Sequence, residues 1–544
     1  MNITSRLEFY TKTHPAKPAF IFFSARNKRW ETITFQQLAD STQRLVSGLQ
    51  ACGVTPGMRA ALMTPPSADF FALAFALLKL GIVPIILDPA IGLKKVGECL
   101  EESKPDIFIG NTLTHSLRFI FGWGRNSIKY NLTVESVKGQ SPKVEGLTTD
   151  HSLLITVFSP AAIIYTSGST GLPKGAVYTH ANLAAQLDML VETFNISPDE
   201  IDLPAFPLYA LIDTLIGVTS VIPDITFPVP GKTDPEKVLN AIRKFNVTNM
   251  FASPVVLDIL VKVQQQAVGF QKLQSLKRVI TAGAPATIQQ QESFRKLLND
   301  ETDLFGIYGA TEVLPIAKIE SREIFEVKHK SAKGAGVCLG KPVNGVTVRI
   351  IEISDSAIAQ WQDSLKVQPN VVGEITVQGA VVTKSYIARE DVNLLSKIHH
   401  GDQVIHRMGD VGYFDEQGRV WYCGRKSHRV ITNDDVLFTE QIEGIFNIHP
   451  MVYRTALVGV DKEPVLWVEL KKGIQPNKDK IKDELIELAS QHPQASKIKE
   501  FLFMKNFPTD VRHNSKIIRE ELTRLAACAL SSSFTRSVHP SSLS

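Results

Sequence analysis

The stretch Ile163-Ile164-Tyr165-Thr166-Ser167-Gly168-Ser169-Thr170-Gly171-Leu172-Pro173-Lys174-Gly175-Ala176-Val177 constrains the fold more than any other. An apolar run enters it, Gly, Ser and Thr turn the chain, a lysine follows, and a second β-like run leaves. This pattern predicts a phosphate loop between two strands. Gly168 and Gly171 let successive backbone N–H groups point into one concavity, and the hydroxyls of Ser167, Ser169 and Thr170 add neutral donors. Lys174 supplies a mobile positive charge for a polyphosphate. The alternative is a flexible Gly/Ser linker. Strand-like flanks, the stiffening Pro173 and a lysine inside the cluster argue against it. The spacing is not the G-x-x-x-x-G-K-[ST] of the P-loop NTPases.

At 544 residues, with 44% hydrophobic and 21% charged content, the chain is too long for one core and predicts two to four structural units. The net charge of +4, from 59 basic and 55 acidic residues, comes with no basic run interleaved with aromatics, so no nucleic-acid partner is expected. Five scattered cysteines without C-x-x-C spacing argue against a disulfide framework or zinc site and suit a reducing cytoplasm. Polar and acidic residues in Met1–Tyr10 stand where a signal peptide would have its apolar core, so no export signal is expected.

Read in order, Pro18–Phe23 is strand-like and Thr34–Leu49 has helical spacing of apolar residues. Phe70–Leu87 is apolar enough to suggest a membrane span, but Lys79, Gly81 and Pro84 divide it into a helix and a short buried strand. Asp88-Pro89 signals a turn, and Pro105–Leu154 reads as irregular chain wrapping the surface. Helical patterns at Asn182–Phe194, Pro235–Phe245 and Pro254–Val263 alternate with strands at Val247–Ala252 and Val279–Thr281. That rhythm predicts an α/β fold with a doubly wound, mainly parallel sheet, whose ligands collect at the carboxyl ends of the strands. The phosphate loop, Ala282-Gly283-Ala284-Pro285 and Ile307-Tyr308-Gly309-Ala310-Thr311-Glu312 would each sit at such an end. In the last motif Tyr308 can stack on a purine, Gly309 admits close backbone approach, Thr311 can donate to a phosphate, and Glu312 can hold Mg2+.

The phosphate loop and the Y-G-x-T-E motif together resemble the adenylate-forming superfamily of acyl-CoA synthetases, fatty acyl-AMP ligases, peptide-synthetase adenylation domains and luciferases. The resemblance implies ATP and Mg2+, and it assigns Thr166 through Gly171, Lys174, Gly283, Ala284, Pro285, Tyr308 and Gly309 to the nucleotide. It identifies Asp410, in Met408-Gly409-Asp410-Val411-Gly412-Tyr413, with the ribose aspartate, and Arg425 with the second ribose contact. It further implies a large domain over residues 1–424 that includes a β-rich subdomain. A small α+β lid would follow over 425–530, then a disordered Ser-rich tail over 531–544. Lys516, in Asp510-Val511-Arg512-His513-Asn514-Ser515-Lys516-Ile517, matches the lid lysine that bridges carboxylate and α-phosphate, joining Thr311 and Glu312 as catalytic residues. An acyl-pocket wall is implied near Leu203–Val221, with Phe206, Tyr209 and Asp213 as candidates and Asp213 a possible base.

One segment departs from the CoA ligases. After Arg425, Ser427 occupies their hinge place, Asp434 the place of a glycine and Val436 that of an arginine lining the thiol tunnel. A carboxylate where a pantetheine arm should pass adds bulk and negative charge. This altered segment, Tyr308-Gly309-Ala310-Thr311-Glu312 followed by Val313-Leu314-Pro315-Ile316, and Arg512-His513-Asn514-Ser515-Lys516-Ile517 resemble the olefin β-lactone synthetases of bacterial long-chain hydrocarbon biosynthesis. That resemblance implies adenylation of a long-chain 2-alkyl-3-hydroxy acid and closure by its own hydroxyl, without CoA, beside other enzymes of an olefin-producing assembly. The alternatives are a long-chain acyl-CoA synthetase or acyl-AMP ligase, and an inactive adenylate-binding scaffold.

Overall fold

The computed structural model describes residues 2–24, 27–88, 91–140, 155–166, 172–225, 230–266, 271–473, 477–509 and 516–537. Two sheets form the large N-terminal part. The first has six strands in the order Tyr130–Leu132, Ile107–Gly110, Arg59–Met63, Val83–Ile86, Pro160–Tyr165, Gly175–Thr179, parallel except for the last, antiparallel pair. The second has a parallel half, Asp303–Ala310, Arg278–Thr281, Asn249–Ala252, Ile201–Pro204, Thr219–Ile222, Pro18–Ser24, edged by the antiparallel Arg29–Thr34. From Val313 onward it continues antiparallel through Val313–Glu320, Val337–Pro342, Val420–Arg425, Gln403–Phe414, Gly373–Gly379 and Val346–Ile351. The doubly wound α/β reading holds, with the β-rich portion built as an extension of the second sheet.

The helix Ala68–Leu80 explains how the two sheets share one core. It is buried on nearly every face, and its cluster takes Ala19 and Phe20 from one sheet and Ala60, Leu62, Ile107 and Ile109 from the other. A helix apolar all round is stable in water only when covered all round. Ser67 caps its start, accepting from Phe70 N, and Gly81 ends it in the left-handed region at φ 68°. Phe71 stacks on Phe20 with ring centres 4.6 Å apart. Among the described residues no helix is long and apolar enough to cross a membrane.

The expectation of irregular chain over 105–154 is overturned for its described part. Ile107–Gly110 is a fully buried interior strand, and Thr112–Phe121, Tyr130–Leu132 and Val134–Lys138 are regular elements around it. Pro89 and residues 141–154 lie outside the described residues.

The C-terminal part packs Val452–Val460, Glu463–Leu470 and Glu500–Met504 as a three-stranded sheet with the helices Thr439–Phe446, Lys478–Ser490 and Arg519–Ser537. Its core gathers Ile442, Phe446, Leu457, Leu466, Leu485 and Phe501. The last helix runs to Ser537, into the stretch expected to be a disordered tail. Its regular pattern continues through Leu522 and Ala526, which pack on Trp467, so the Ser-rich turns beyond them extend an anchored helix.

Candidate active site

Antiparallel pairing creates the centre of the site. Asp410 and Arg425 are cross-strand partners, and Arg425 Nη1 lies 3.1 Å from Asp410 Oδ1. The Tyr308 hydroxyl, at the end of the neighbouring parallel strand system, donates to Asp410 Oδ2 at 2.6 Å. Gly409 precedes the aspartate at φ 69°, a conformation that costs glycine nothing. Burial pushes the Asp410 carboxyl above its ordinary value and Glu312 adds to the rise; Arg425, the Tyr308 hydroxyl and Lys516 pull the other way. The Lys516 charge thus acts on Asp410, though less than Arg425 does. Although Arg425 is near, Asp410 Oδ1 is buried without a hydrogen-bond donor among the described residues. A buried carboxylate oxygen with an open lone pair is what a ribose hydroxyl requires.

Thr311 and Glu312 form a two-residue turn, since Ala310 pairs with Val313 across the hairpin. Three donors clamp this turn. The Tyr178 hydroxyl donates to the Thr311 carbonyl, Thr383 N donates to the Glu312 carbonyl at 2.9 Å, and the Tyr386 hydroxyl donates to the Glu312 carboxylate. Gly309 is required by the hairpin itself, because a Cβ there would lie 2.5 Å from Leu314 Cδ1 and 3.0 Å from the Val313 carbonyl oxygen. Thr166 and Lys174 close the mouth of the phosphate hairpin: Thr166 N donates to Lys174 O at 3.0 Å, and Lys174 N to Thr166 Oγ1 at 3.2 Å. Ser167, Gly168, Ser169, Thr170 and Gly171 lie outside the described residues. Gly283, at φ 91°, leads Ala284 and Pro285 away from the carboxyl end of Arg278–Thr281, next to the strand that carries Tyr308.

A second group was not legible in the motifs. The ammonium groups of Lys174 and Lys397 lie 5.6 and 5.4 Å from the Tyr386 ring centre, and Lys397 Nζ donates to the Thr383 carbonyl at 2.5 Å. Burial lowers the Lys397 pKa to about 7, with Glu312 opposing and Lys174 adding to the shift. Neither a lone lysine opening a strand nor Tyr178 and Tyr386 carries a spacing signal; only tertiary contact assembles them. The Lys397 amine has a folded pKa below its ordinary 10.5, so the unfolded chain binds more protons between those values. Its contribution to stability therefore rises with pH from about 7 to 10.5. Melting of wild type and Lys397→Met across this window should move the Tm difference in favour of the wild type as pH increases; a pH-independent difference contradicts the burial.

Among the pocket candidates, Tyr209 stacks on Phe251 at 3.8 Å and Phe206 meets Tyr209 edge-on at 5.9 Å. Tyr178, whose hydroxyl pKa is raised by burial and then by Glu312 and Tyr209, links this aromatic wall to the Thr311-Glu312 turn. Asp213 turns elsewhere. It is buried, accepts from Ser220 Oγ at 2.7 Å and faces Asp202, and burial followed by Asp202 raises its pKa well above the ordinary value. A carboxyl shared between two strands in this way is a packing group, and it is not carried forward as the base.

The departing segment after Arg425 forms a small hairpin. Val430–Ile431 pairs with Val436–Leu437, and Thr432 Oγ1 accepts from Asp435 N at 3.0 Å across the turn that presents Asp434. Ser427 sits in the short helical turn Lys426–His428 that follows Arg425. Residues 510–515 lie outside the described residues, but Ile517 bridges Thr509, and Arg519 is held by Glu443 at 2.6 and 3.0 Å. That buried ion pair fixes the start of the helix immediately after Lys516.

The model for the AMP-binding enzyme family matches residues 7–387. The chain belongs to the AMP-binding enzyme family. This AMP-binding enzyme is 39% identical over 91% of its length to an olefin beta-lactone synthetase of Xanthomonas campestris pv. campestris, covering 91% of that protein. It is 38% identical to an olefin beta-lactone synthetase of Stenotrophomonas maltophilia, over 92% of each chain. In fold it resembles the o-succinylbenzoate coenzyme A synthetase of Bacillus subtilis in complex with ATP and magnesium ion, with a TM-score of 0.74 and 21% identity over 95% of this chain and 98% of that one.

Proposed function

We propose that this AMP-binding enzyme is an olefin β-lactone synthetase: it adenylates a long-chain 2-alkyl-3-hydroxy acid with ATP and closes the acyl adenylate to a β-lactone. The observation that carries the reading is the likeness to olefin beta-lactone synthetases along nearly the whole chain. The altered lid hairpin supports it, with Asp434 and Val436 exposed where a CoA ligase would line its thiol tunnel.

In the first half-reaction the substrate carboxylate attacks the α-phosphorus of ATP and expels pyrophosphate. Asp410 and Arg425 hold the ribose and Tyr308 the adenine side of it. Thr166 to Gly171 and Lys174 hold the outer phosphates. Thr311 and Lys516 stand where negative charge grows on the α-phosphate, and fixed donors at that point contribute most of such catalysis. Glu312 fits Mg2+, an ion that uses one or two protein carboxylates and takes its other ligands from phosphate and water. No group of three or more His, Cys, Asp or Glu among the described residues suits a metal held by the protein alone. When bound, the ion would neutralise phosphate charge. Glu312→Gln should raise the Mg2+ concentration for half-maximal activity by about ten-fold or more, since one anionic ligand is lost; an unchanged magnesium titration removes Glu312 from the metal.

In the second half-reaction the β-hydroxyl attacks the acyl carbon and AMP leaves. The nucleophile is already tethered, and effective molarities of about 10^5 to 10^8 M offset much of the strain of a four-membered ring. CoA is then unnecessary. The aromatic wall of Phe206, Tyr209 and Phe251 is the proposed acyl contact, with each buried CH2 contributing about 0.8 kcal/mol. Residues 1–424 serve as the adenylating domain and 425–530 as its lid, in a reducing cytoplasm and alongside other enzymes of olefin formation. Purified protein given ATP, Mg2+ and a 2-alkyl-3-hydroxy acid should yield lactone and AMP in equal amounts without CoA; strict dependence on CoA contradicts the reading.

A further inference from the structure

The helix Thr112–Phe121 leaves most of its apolar side chains in solvent. Two of its polar side chains face the fold: His115 meets the Phe108 ring edge-on at 5.0 Å and hydrogen-bonds the Leu132 carbonyl at 2.9 Å, and the Arg118 guanidinium lies 5.7 Å from the same ring. Arg118 Nε is buried without a hydrogen-bond partner among the described residues. Leu117 packs inward on the cluster that holds Phe108, but four apolar side chains face outward, Leu113 65%, Phe119 85%, Ile120 71% and Phe121 49% exposed. No residue of this ten-residue helix is fully buried. An ordinary surface helix keeps such side chains on its inner face, and a cluster of exposed apolar side chains marks a surface that docks on something.

Charge selects among the possible occupants. From Ile107 to Val134 the sequence holds Arg118, Arg125 and Lys129 and not one Asp or Glu. Lys129 lies 3.5 Å from Asp106 at the edge of this stretch, and Arg125 is exposed. A helix of this length spans about 15 Å, so its outer face offers far less than the roughly 800 Å² per partner of a stable protein interface. Insertion of a few Phe, Leu and Ile side chains beside cations is instead sufficient for a reversible hold on anionic lipid.

We propose that Thr112–Phe121 docks this enzyme on an anionic lipid bilayer, with Leu113, Phe119 and Ile120 entering the acyl boundary and Arg125 meeting lipid phosphate. The inference is independent of which acid the enzyme activates. It is tested by flotation of the full chain with vesicles of phosphatidylcholine alone, and with vesicles of equal parts phosphatidylcholine and phosphatidylglycerol. Wild type should float with the mixed vesicles and less with the neutral ones, and added salt should weaken it. Phe119→Ser with Ile120→Ser should lower vesicle affinity by about a hundred-fold, since each inserted side chain is worth about ten-fold or more. ATP–pyrophosphate exchange of that variant should equal wild type, because neither residue belongs to the site. Arg125→Glu should erase the preference for the anionic vesicles. Wild type that stays with the unbound fraction, or a double variant that floats equally well, overturns the proposal. So does sedimentation showing a wild-type oligomer that the double variant disperses, which would make the face a protein interface.

Discussion

Lys516→Ala is expected to slow adenylation by about 10²- to 10³-fold while leaving ATP affinity within about two-fold. In the proposed reading the lysine is carried by the lid, and its charge acts on Asp410. The proposed ground-state contacts of the nucleotide are Asp410, Arg425 and the phosphate hairpin. A charge supplied from the lid meets the phosphate most strongly when negative charge accumulates there, so its removal falls on kcat and only weakly on binding. The support beneath the residue persists in the variant, because Arg519 remains paired to Glu443. Single-turnover formation of acyl adenylate, measured with equilibrium binding of ATP, separates the two effects. Loss of affinity alone would assign Lys516 to ground-state binding.

Asp410→Ala should act in the opposite sense, raising the Kd for ATP by about a hundred-fold or more. Hydrogen bonds from neutral hydroxyls to a carboxylate contribute about 1.5 to 3 kcal/mol each, and two ribose hydroxyls are served. Oδ2 already accepts from Tyr308, and Oδ1 is the buried oxygen without a donor. Asp410→Asn keeps the shape but loses the charge that pairs with Arg425, so it should fall between the two. Calorimetric titration with ATP and with adenine alone checks the assignment: the loss should appear for ATP and be nearly absent for adenine. Equal loss for both would mean that the aspartate supports the adenine face through Tyr308 instead of holding the ribose.

How much of this was legible beforehand depended on whether the residues carried a local signal. Gly81 and Pro84 were sufficient to split the apolar Phe70–Leu87 into a helix and a strand, and the structure ends the helix at Leu80 and starts the strand at Val83. The four-residue strand Ile107–Gly110, buried on both faces, has no alternation to read. The following helix misleads because most of its apolar side chains, Leu113, Phe119, Ile120 and Phe121, are exposed while His115 and Arg118 face the fold. In the site, Asp410, Arg425, Glu312 and Lys516 stood out because they belong to spaced motifs. Tyr178 and Tyr386 reach the Thr311-Glu312 turn from segments about two hundred residues apart, with Lys397 held beside them on the Thr383 carbonyl, and convergence of that kind leaves no trace in spacing. Asp213 shows the converse. Its place in the expected pocket wall made it a candidate, yet its partners Ser220 and Asp202 turn it into the sheet.

In the proposed function the altered hairpin after Arg425 is what separates lactone closure from thioester formation. Asp434 in the turn and Val436 in the second strand lie on an exposed hairpin that is held by Thr432 and by the pair of Asp435 with Lys497 at 3.1 Å. A tethered hydroxyl needs no tunnel through this turn, whereas a pantetheine thiol does. The most direct measurement therefore compares two acids of equal chain length with the unmutated enzyme, ATP, Mg2+ and CoA: one plain, one carrying the 2-alkyl and 3-hydroxy groups. A β-lactone synthetase should turn over the hydroxy acid to lactone and AMP with or without CoA, and should halt at the adenylate of the plain acid. Acyl-CoA formed from the plain acid at a rate comparable to lactone formation would contradict it.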